Sequence, residues 1–477
     1  MRHYITPVLA TTAVVAALLG PRLAASVGPA GPQPVAPVGP VALDLDTGAP
    51  AVAEPVAVDQ PTLTVRLDRD TVLAGGLLRA ELTVQAPVVE QEGQALPTDV
   101  VLVVDRSGSM SGAKLQDAQQ AAHSLVQLLG AEDRVAVVSF SDGASIDSPL
   151  GQGSWATYGA IAGLRAAGGT EMQAGLSQGL SMLAEPTPGR ARRMILLSDG
   201  QPNTRDGLVG LAQRAAQLET PLTAVGIGAD YDVELMQSLA DTGTGNFYWA
   251  RADMPLASVF ANEFDATRAA VTSRTSLAWT PPPGVDVVDW GGLPSADGTV
   301  ELGQLFSGQR RSLWVTLRVA PHTDVASLSL GDVQLSWTEL DDGARGTALA
   351  SVGAVDVTRD RRVAAAGLDE QAWAASVVEE EYNDVLGTVQ GKLARGDKSG
   401  ALDDLRSYRE RNSLLNATVQ SAAVVDNLAE VEALEQQVQH DQLKKEGLLD
   451  MATKAWSGRR KGQVYGSMPA PAPAPRR

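Results

Sequence analysis

The spacing of apolar positions changes several times along this chain, and each change marks a different kind of element. Leu63-Thr64-Val65-Arg66-Leu67 alternates with period two, as does Leu78 to Val84 with Ala80, Leu82 and Val84 on one face. Both runs read as strands, with Gly75-Gly76 as a turn between them. From Thr98 to about Ala270 short apolar runs alternate with helical periods. Val100 to Val104 is nearly continuous in apolar residues, the mark of a strand buried on both faces. Leu115, Ala118, Ala122, Leu125, Val126 and Leu129 then share one face of a helix over 114–129. Strands are expected at 134–140, 194–197, 222–227 and 246–249, and helices at 155–164, 172–183, 208–218, 233–239 and 256–270. Alternation of this length predicts a doubly wound α/β fold, a mainly parallel sheet with helices on both faces.

Beyond Val271 the period returns to two. Leu313, Val315, Leu317 and Val319 alternate with other residues, as do Val333, Leu335 and Trp337, and Pro281-Pro282-Pro283-Gly284 and Asp341-Asp342-Gly343 punctuate the region. A β-sandwich over 271–358 follows. Two strands alone are not stable, so 62–97 is expected to pair with 271–358, which makes the α/β segment 98–270 an insertion in the sandwich. Residues 363–447 read as a small antiparallel helical module: Val378, Tyr382, Val385, Leu386, Val389 and Leu393 form one stripe, Leu402, Leu405 and Tyr408 a second, and Val431, Leu434 and Val438 a third. Residues 27–61, with eight prolines, read as an extended tether, and 448–477 as a disordered tail ending in Pro-Ala steps. At the N-terminus Arg2 and His3 precede an apolar run from Val8 to Leu19, and Leu23-Ala24-Ala25-Ser26 offers small residues to a peptidase. That order predicts a secretory signal over 1–26, with an uncleaved anchor as the alternative, and places the protein in the periplasm, on the cell surface or outside the cell.

Composition narrows the chemistry. The 477 residues exceed one comfortable core, and 44% apolar with 20% charged residues is globular. A net charge of −18, from 38 Lys+Arg against 56 Asp+Glu, argues against nucleic acid and against docking on an anionic membrane. There are no cysteines, which excludes disulfides, thiolate zinc sites and thiol nucleophiles.

The chemistry-bearing segment is Asp105-Arg106-Ser107-Gly108-Ser109, directly after the 100–104 strand. Ligands of open parallel sheets bind at the carboxyl ends of strands. Asp105, Ser107 and Ser109 are hard oxygen donors suited to Mg²⁺ or Ca²⁺, and Gly108 lets the turn bring both hydroxyls to one side. Gly168-Gly169-Thr170 lies between two expected helices, and Ser198-Asp199-Gly200 follows the 194–197 strand. Taken together, the three segments resemble the metal-ion-dependent adhesion site of the von Willebrand factor A family, over roughly Thr98 to Ala270. The style is that of inter-alpha-trypsin inhibitor heavy chains and their exported bacterial relatives, carried here by Val100–Met110, by Gly112-Ala113-Lys114-Leu115 and by the junction Ala240–Tyr248.

The resemblance implies that Ser107 and Ser109 coordinate a divalent ion directly, Asp105 and Asp199 directly or through water, and Thr170 directly or through water according to affinity state. The ion would be Mg²⁺, or Ca²⁺ or Mn²⁺. Two carboxylates neutralise a dication without filling six positions, so a partner's Asp or Glu can replace a water. The implied function is cation-dependent protein binding, for adhesion or envelope assembly, without enzymatic activity. Two alternatives stand beside it: an assembly subunit whose ion only stabilises the domain, and a hydrolase using Ser177.

Other signals weigh little. Gly175-Leu176-Ser177-Gln178-Gly179 matches a nucleophile elbow but lacks the strand that motif needs before it. His3, His123, His322 and His440 are scattered, and Arg395-Gly396-Asp397 sits where a helix–helix turn is expected. Asp241, Asp265 and Asp289 show no spacing for a second metal, and Glu379-Glu380-Glu381 reads as a solvated helix face.

Overall fold

The computed structural model describes residues 59–89, 96–183, 189–251, 255–323 and 325–460. The expected signal over 1–26, all but the last few residues of the tether, and the tail from 461 lie outside them. The described chain opens with β1 (Thr62–Leu67), β2 (Thr71–Leu73) and β3 (Leu77–Gln85). The α/β segment then runs β4 (Thr98–Asp105), α1 (Ala113–Leu128), β5 (Arg134–Phe140), β6 (Ala144–Gly151), α2 (Trp155–Gly163), α3 (Met172–Met182), β7 (Ala191–Ser198), α4 (Leu208–Gln217), β8 (Leu222–Ile227), α5 (Val233–Thr242), β9 (Thr244–Ala250) and α6 (Leu256–Arg268). Strands follow as β10 (Ala270–Trp279), β11 (Val285–Asp289), β12 (Ser295–Ala296), β13 (Thr299–Phe306), β14 (Arg310–Val319), β15 (Ser327–Ser329), β16 (Asp332–Glu339), β17 (Arg345–Ser351) and β18 (Ala354–Thr358). The helices are α7 (Arg361–Ala366), α8 (Glu370–Ser376), α9 (Tyr382–Ala394), α10 (Lys398–Val419), α11 (Ala422–Gln439) and α12 (Lys445–Arg459), and one π-helical turn, Val377–Glu381, joins α8 to α9.

The α/β sheet has the order β6-β5-β4-β7-β8-β9. All its pairings are parallel except β5 with β6. Every residue of β4, β7 and β8 is buried, as the apolar runs require of strands covered on both faces. One face packs on α1, α2 and α6, the other on α3, α4 and α5. The small residues at 175 and 179 let α3 lie close to the sheet: a Cβ at Gly175 would meet Phe140 at 2.6 Å, and one at Gly179 would meet Val103 at 2.7 Å. Ser177 is on the exposed face in the middle of α3, with no strand leading into it. β6 escaped the apolar pattern because it is a largely polar edge strand, the one place a sheet tolerates Pro149.

β3 pairs with β14 from Gln85↔Arg310 to Leu77↔Arg318, so the strands before the α/β segment share a sheet with strands after it. The sheets β1-β3-β14-β11 and β12-β13-β10-β16-β17 enclose a common core that includes Leu82, Leu277, Trp279, Leu317 and Leu335. A third, small sheet has the order β15-β18-β2.

The structure corrects the reading of 448–477 as a tail: residues through Arg459 form α12. The helix is held by what its apolar face meets. Trp456 is 1% exposed, packs edge-on to Phe247 at 5.9 Å and donates through Nε1 to Asp241 at 2.9 Å. Arg460 donates to the carbonyls of Gly291 (2.8 Å) and Gly292 (3.3 Å). α12 thus touches the α/β segment, the sandwich and the other helices, contacts that a tail's local composition does not reveal. Among the described residues no helix is long and apolar enough to cross a membrane.

At the amino ends of the parallel strands a buried polar network pins α6. Glu263, 0% exposed, accepts from Arg193 Nη1 (2.9 Å), Asn246 Nδ2 (2.7 Å) and the Tyr248 hydroxyl (2.7 Å), and from Thr223 Oγ1. Removing one partner of a buried ion pair leaves an uncompensated charge. Glu263→Ala is therefore expected to cost about 3–5 kcal/mol of stability, read as a lower urea midpoint; an unchanged midpoint would show the network to be dispensable.

Asp99, the second residue of β4, lies between Arg134 (2.5 Å) and Arg190 (2.7 Å). Burial pushes its carboxyl up, but the two guanidiniums outweigh burial and hold it below the ordinary 3.8. A carboxyl lowered in the folded state stabilises the fold above its unfolded value and loses that contribution as pH falls through the folded value. The gap in unfolding midpoint between wild type and Asp99→Asn should accordingly be constant near neutrality and shrink below pH 3.8. A gap independent of pH would contradict this.

Candidate metal centre

The winding of the sheet creates the crevice. From central β4 the chain passes to β5 and β6 on one side and returns to β7 on the other, so the loops leaving β4 and β7 part at their carboxyl ends. In such sheets that divergence is where ligands bind. Asp105 ends β4, and Ser198-Asp199 ends the neighbouring β7, with Val104 paired to Leu197.

Backbone hydrogen bonds knit the loops together. Gly108 N donates to Gly168 O (3.0 Å) and Ala167 N to Arg106 O (2.8 Å). Asn203 N donates to Thr170 O (3.0 Å), and Thr170 N donates back to Asn203 Oδ1 (3.3 Å). Asp142, in the turn between β5 and β6, accepts from Gly169 N at 2.7 Å. The 168–170 loop is thereby tied to both strand-end turns.

The side chains form a chain of oxygens. Asp105 accepts from Ser107 N (2.7 Å) and from the Ser198 hydroxyl (2.6 Å). The Ser107 and Ser109 hydroxyls lie 3.0 Å apart, and Ser109 Oγ donates to Asp199 Oδ1 at 2.8 Å. Lys114, from the first turn of α1, donates to the other oxygen of Asp199. A Cβ on Gly200 would lie 3.6 Å from Ser109 Oγ and 3.8 Å from Thr170 Oγ1. The five residues expected to bind an ion, Asp105, Ser107, Ser109, Thr170 and Asp199, therefore meet at one rim.

Burial grades across them. Asp105 and Asp199 are fully buried, Ser107 is 2% and Thr170 8% exposed, while Gly108 and Ser109 are open to solvent. Burial raises the Asp105 carboxyl; hydrogen bonds from Ser198 and Ser107 oppose the rise, and the Asp199 charge adds to it. Two buried carboxylates and three hydroxyls fit a hard divalent cation. Ser198, Lys114, Asp142 and Asn203 are the supporting residues that motif reading left without a role. Ser198 had a local signal, its place beside Asp199, whereas Asp142 and Asn203 are brought in only by the fold.

The sequence model of the von Willebrand factor type A domain matches residues 99–262. This segment is a von Willebrand factor type A (VWA) domain. Among curated relatives, an uncharacterised protein of Synechocystis is 28% identical over 165 residues, 34% of this chain and 39% of its own. The inter-alpha-trypsin inhibitor heavy chain H4 of Homo sapiens is 27% identical over 194 residues, 37% of this chain and 21% of its own. The chain thus spans well under half the length of these relatives. Among solved structures, a von Willebrand factor type A protein from Catenulispora acidiphila superimposes with a TM-score of 0.62 at 18% identity, over 83% of this chain and 96% of that one. The ArnB paralog VWA2 from Sulfolobus acidocaldarius gives 0.56 at 14% identity, over 85% and 99%. These two share the fold well beyond the VWA domain itself. VWA domains generally serve as protein-interaction or adhesion modules and commonly bind a divalent metal at this rim.

Gly200 supplies a test of the rim. In Gly200→Val a branched side chain enters the space between Ser109 and Thr170, and Mn²⁺ affinity measured by calorimetry should fall by at least about tenfold, the scale seen when a ligand shell is disturbed. Affinity equal to wild type would show that an ion does not use this space.

Proposed function

We propose that this protein is exported and binds a protein partner through its VWA rim, where a partner's Asp or Glu carboxylate completes the coordination of a divalent ion. Asp105, Ser107, Ser109, Thr170 and Asp199 would hold Mg²⁺, or Ca²⁺ or Mn²⁺. The observation that carries the reading is the convergence of these oxygens from three loops on a rim open at Ser109. Export rests on the signal pattern over 1–26, which puts the module in the periplasm, at the cell surface or outside, in adhesion or envelope assembly.

Charge supports cation dependence. At a net charge of −18 the protein repels an acidic partner at long range. A bound dication reverses the local sign and accepts an anionic oxygen in exchange for a water. The backbone loops position this exchange, and Lys114 helps hold Asp199 in place.

The test pairs calorimetry with capture from an envelope fraction. Wild type should give heat with Mg²⁺ or Mn²⁺ and capture a partner that chelator releases, and Asp105→Ala should lose both. Wild type without metal-dependent heat would remove the proposal. Metal-dependent heat with capture indifferent to chelator and to Asp105→Ala would instead assign the ion to stability alone.

A further inference from the structure

The Glu379-Glu380-Glu381 run is not the solvated helix face its composition suggests. The π-helical turn Val377–Glu381 widens the helix there and rolls Glu380 and Glu381 inward, to 2% and 8% exposure. Glu381 meets Arg79 of β3 (3.3 Å) and Arg411 of α10, and so is neutralised. Glu380 has no such partner: its Oε1 is buried without a hydrogen bond. A buried carboxylate oxygen left unsatisfied is costly and calls for an explanation.

What Glu380 faces is more acid. One carboxylate oxygen each from Asp289, Glu380 and Asp384 lies within 4.8 Å of the others. Asp289 ends β11, the edge strand of the sandwich, and accepts from Gly292 N at 3.0 Å. Asp384 lies in the first turn of α9 and is partly open to solvent, which gives an ion a way in. Arg459 of α12 donates to Asp384 at 3.3 Å. Among the described residues only Arg459 donates a hydrogen bond to these three carboxyl groups from a basic side chain, so acid outnumbers base at the cluster.

We infer that Asp289, Glu380 and Asp384 form a second, structural Ca²⁺ site, separate from the VWA rim, that clasps the C-terminal helices to the edge of the sandwich. Oxygens bound to one Ca²⁺ can stand up to about 5 Å apart, twice the bond length, and the three donors lie within that reach of one another. The donors are all oxygen, and Ca²⁺ fills its remaining positions with carbonyls and water in flexible geometry. An ion held by the folded state alone stabilises it by mass action. Its three ligands come from a sandwich strand, a π turn and a helix, so the stabilisation falls on the junction between those layers.

The experiment uses the full chain carrying Asp105→Ala, so that Ca²⁺ binding at the rim does not contribute. Calorimetric titration should find one Ca²⁺ per chain and a melting temperature that rises with Ca²⁺. Adding Glu380→Gln, which keeps the shape of the neutral acid, or Asp289→Asn, at a half-buried position, should each weaken Ca²⁺ by at least about tenfold and abolish the rise. The proposal is overturned if the Asp105→Ala chain takes up no Ca²⁺, or if it binds Ca²⁺ equally well with Glu380→Gln and with Asp289→Asn.

Discussion

Two carboxylates, Asp105 and Asp199, are buried side by side at the ends of adjacent parallel strands, and the cost of that burial is the constraint on which the rim depends. In-register pairing of β4 with β7 leaves them no freedom to separate. In a low-dielectric setting two such charges need compensation close at hand. The structure supplies hydrogen bonds from Ser198 and the Ser107 amide to one, and from Ser109 and Lys114 to the other. Around them stand the glycine at 200, the Ser107 and Ser109 hydroxyls 3.0 Å apart, and the 168–170 loop drawn in by backbone bonds.

The scaffold holds this arrangement from the opposite end of the sheet. Glu263 locks α6 to three strands at their amino ends, far along the sheet from the rim, and Arg193 extends that lock toward the sandwich through Gln304. Sliding α6 along the sheet would break a buried ion pair, so the base of the VWA domain is held fixed. α12 braces a second side, with Trp456 against Phe247 and Arg460 on the carbonyls of Gly291 and Gly292. Proteins at 18% and 14% identity share the fold over more than four-fifths of the chain.

Much of the fold was legible because its signals are local. An apolar pentapeptide such as Val100–Val104 has one comfortable environment, a doubly covered strand, and the residue after it then lies at a carboxyl-end rim. Even the pairing of the first strands with the later ones followed from the instability of two strands alone. What escaped notice were elements whose burial comes from elsewhere. β6 is polar and carries a proline, so nothing in its own residues announces a strand. α12 precedes a Pro-rich end, and its helix is stabilised by Phe247 and Asp241, some two hundred positions away.

The same division runs through the chemistry. The sequence by itself offered five oxygen donors at strand ends and in a glycine loop, a matter of local spacing and element order, while their roles as ligands come from the family resemblance. Only the tertiary structure decided that Thr170 lies beside Gly200, that Lys114 partners Asp199, and that Asp142 and Asn203 hold the intervening loop. It alone turned an apparently solvated glutamate run inward, setting Glu380 against Asp289 and Asp384 across the sandwich edge. Spacing along a chain encodes what neighbours within a turn or a strand can do, whereas burial and charge crowding arise between surfaces distant in sequence, and no local pattern carries them.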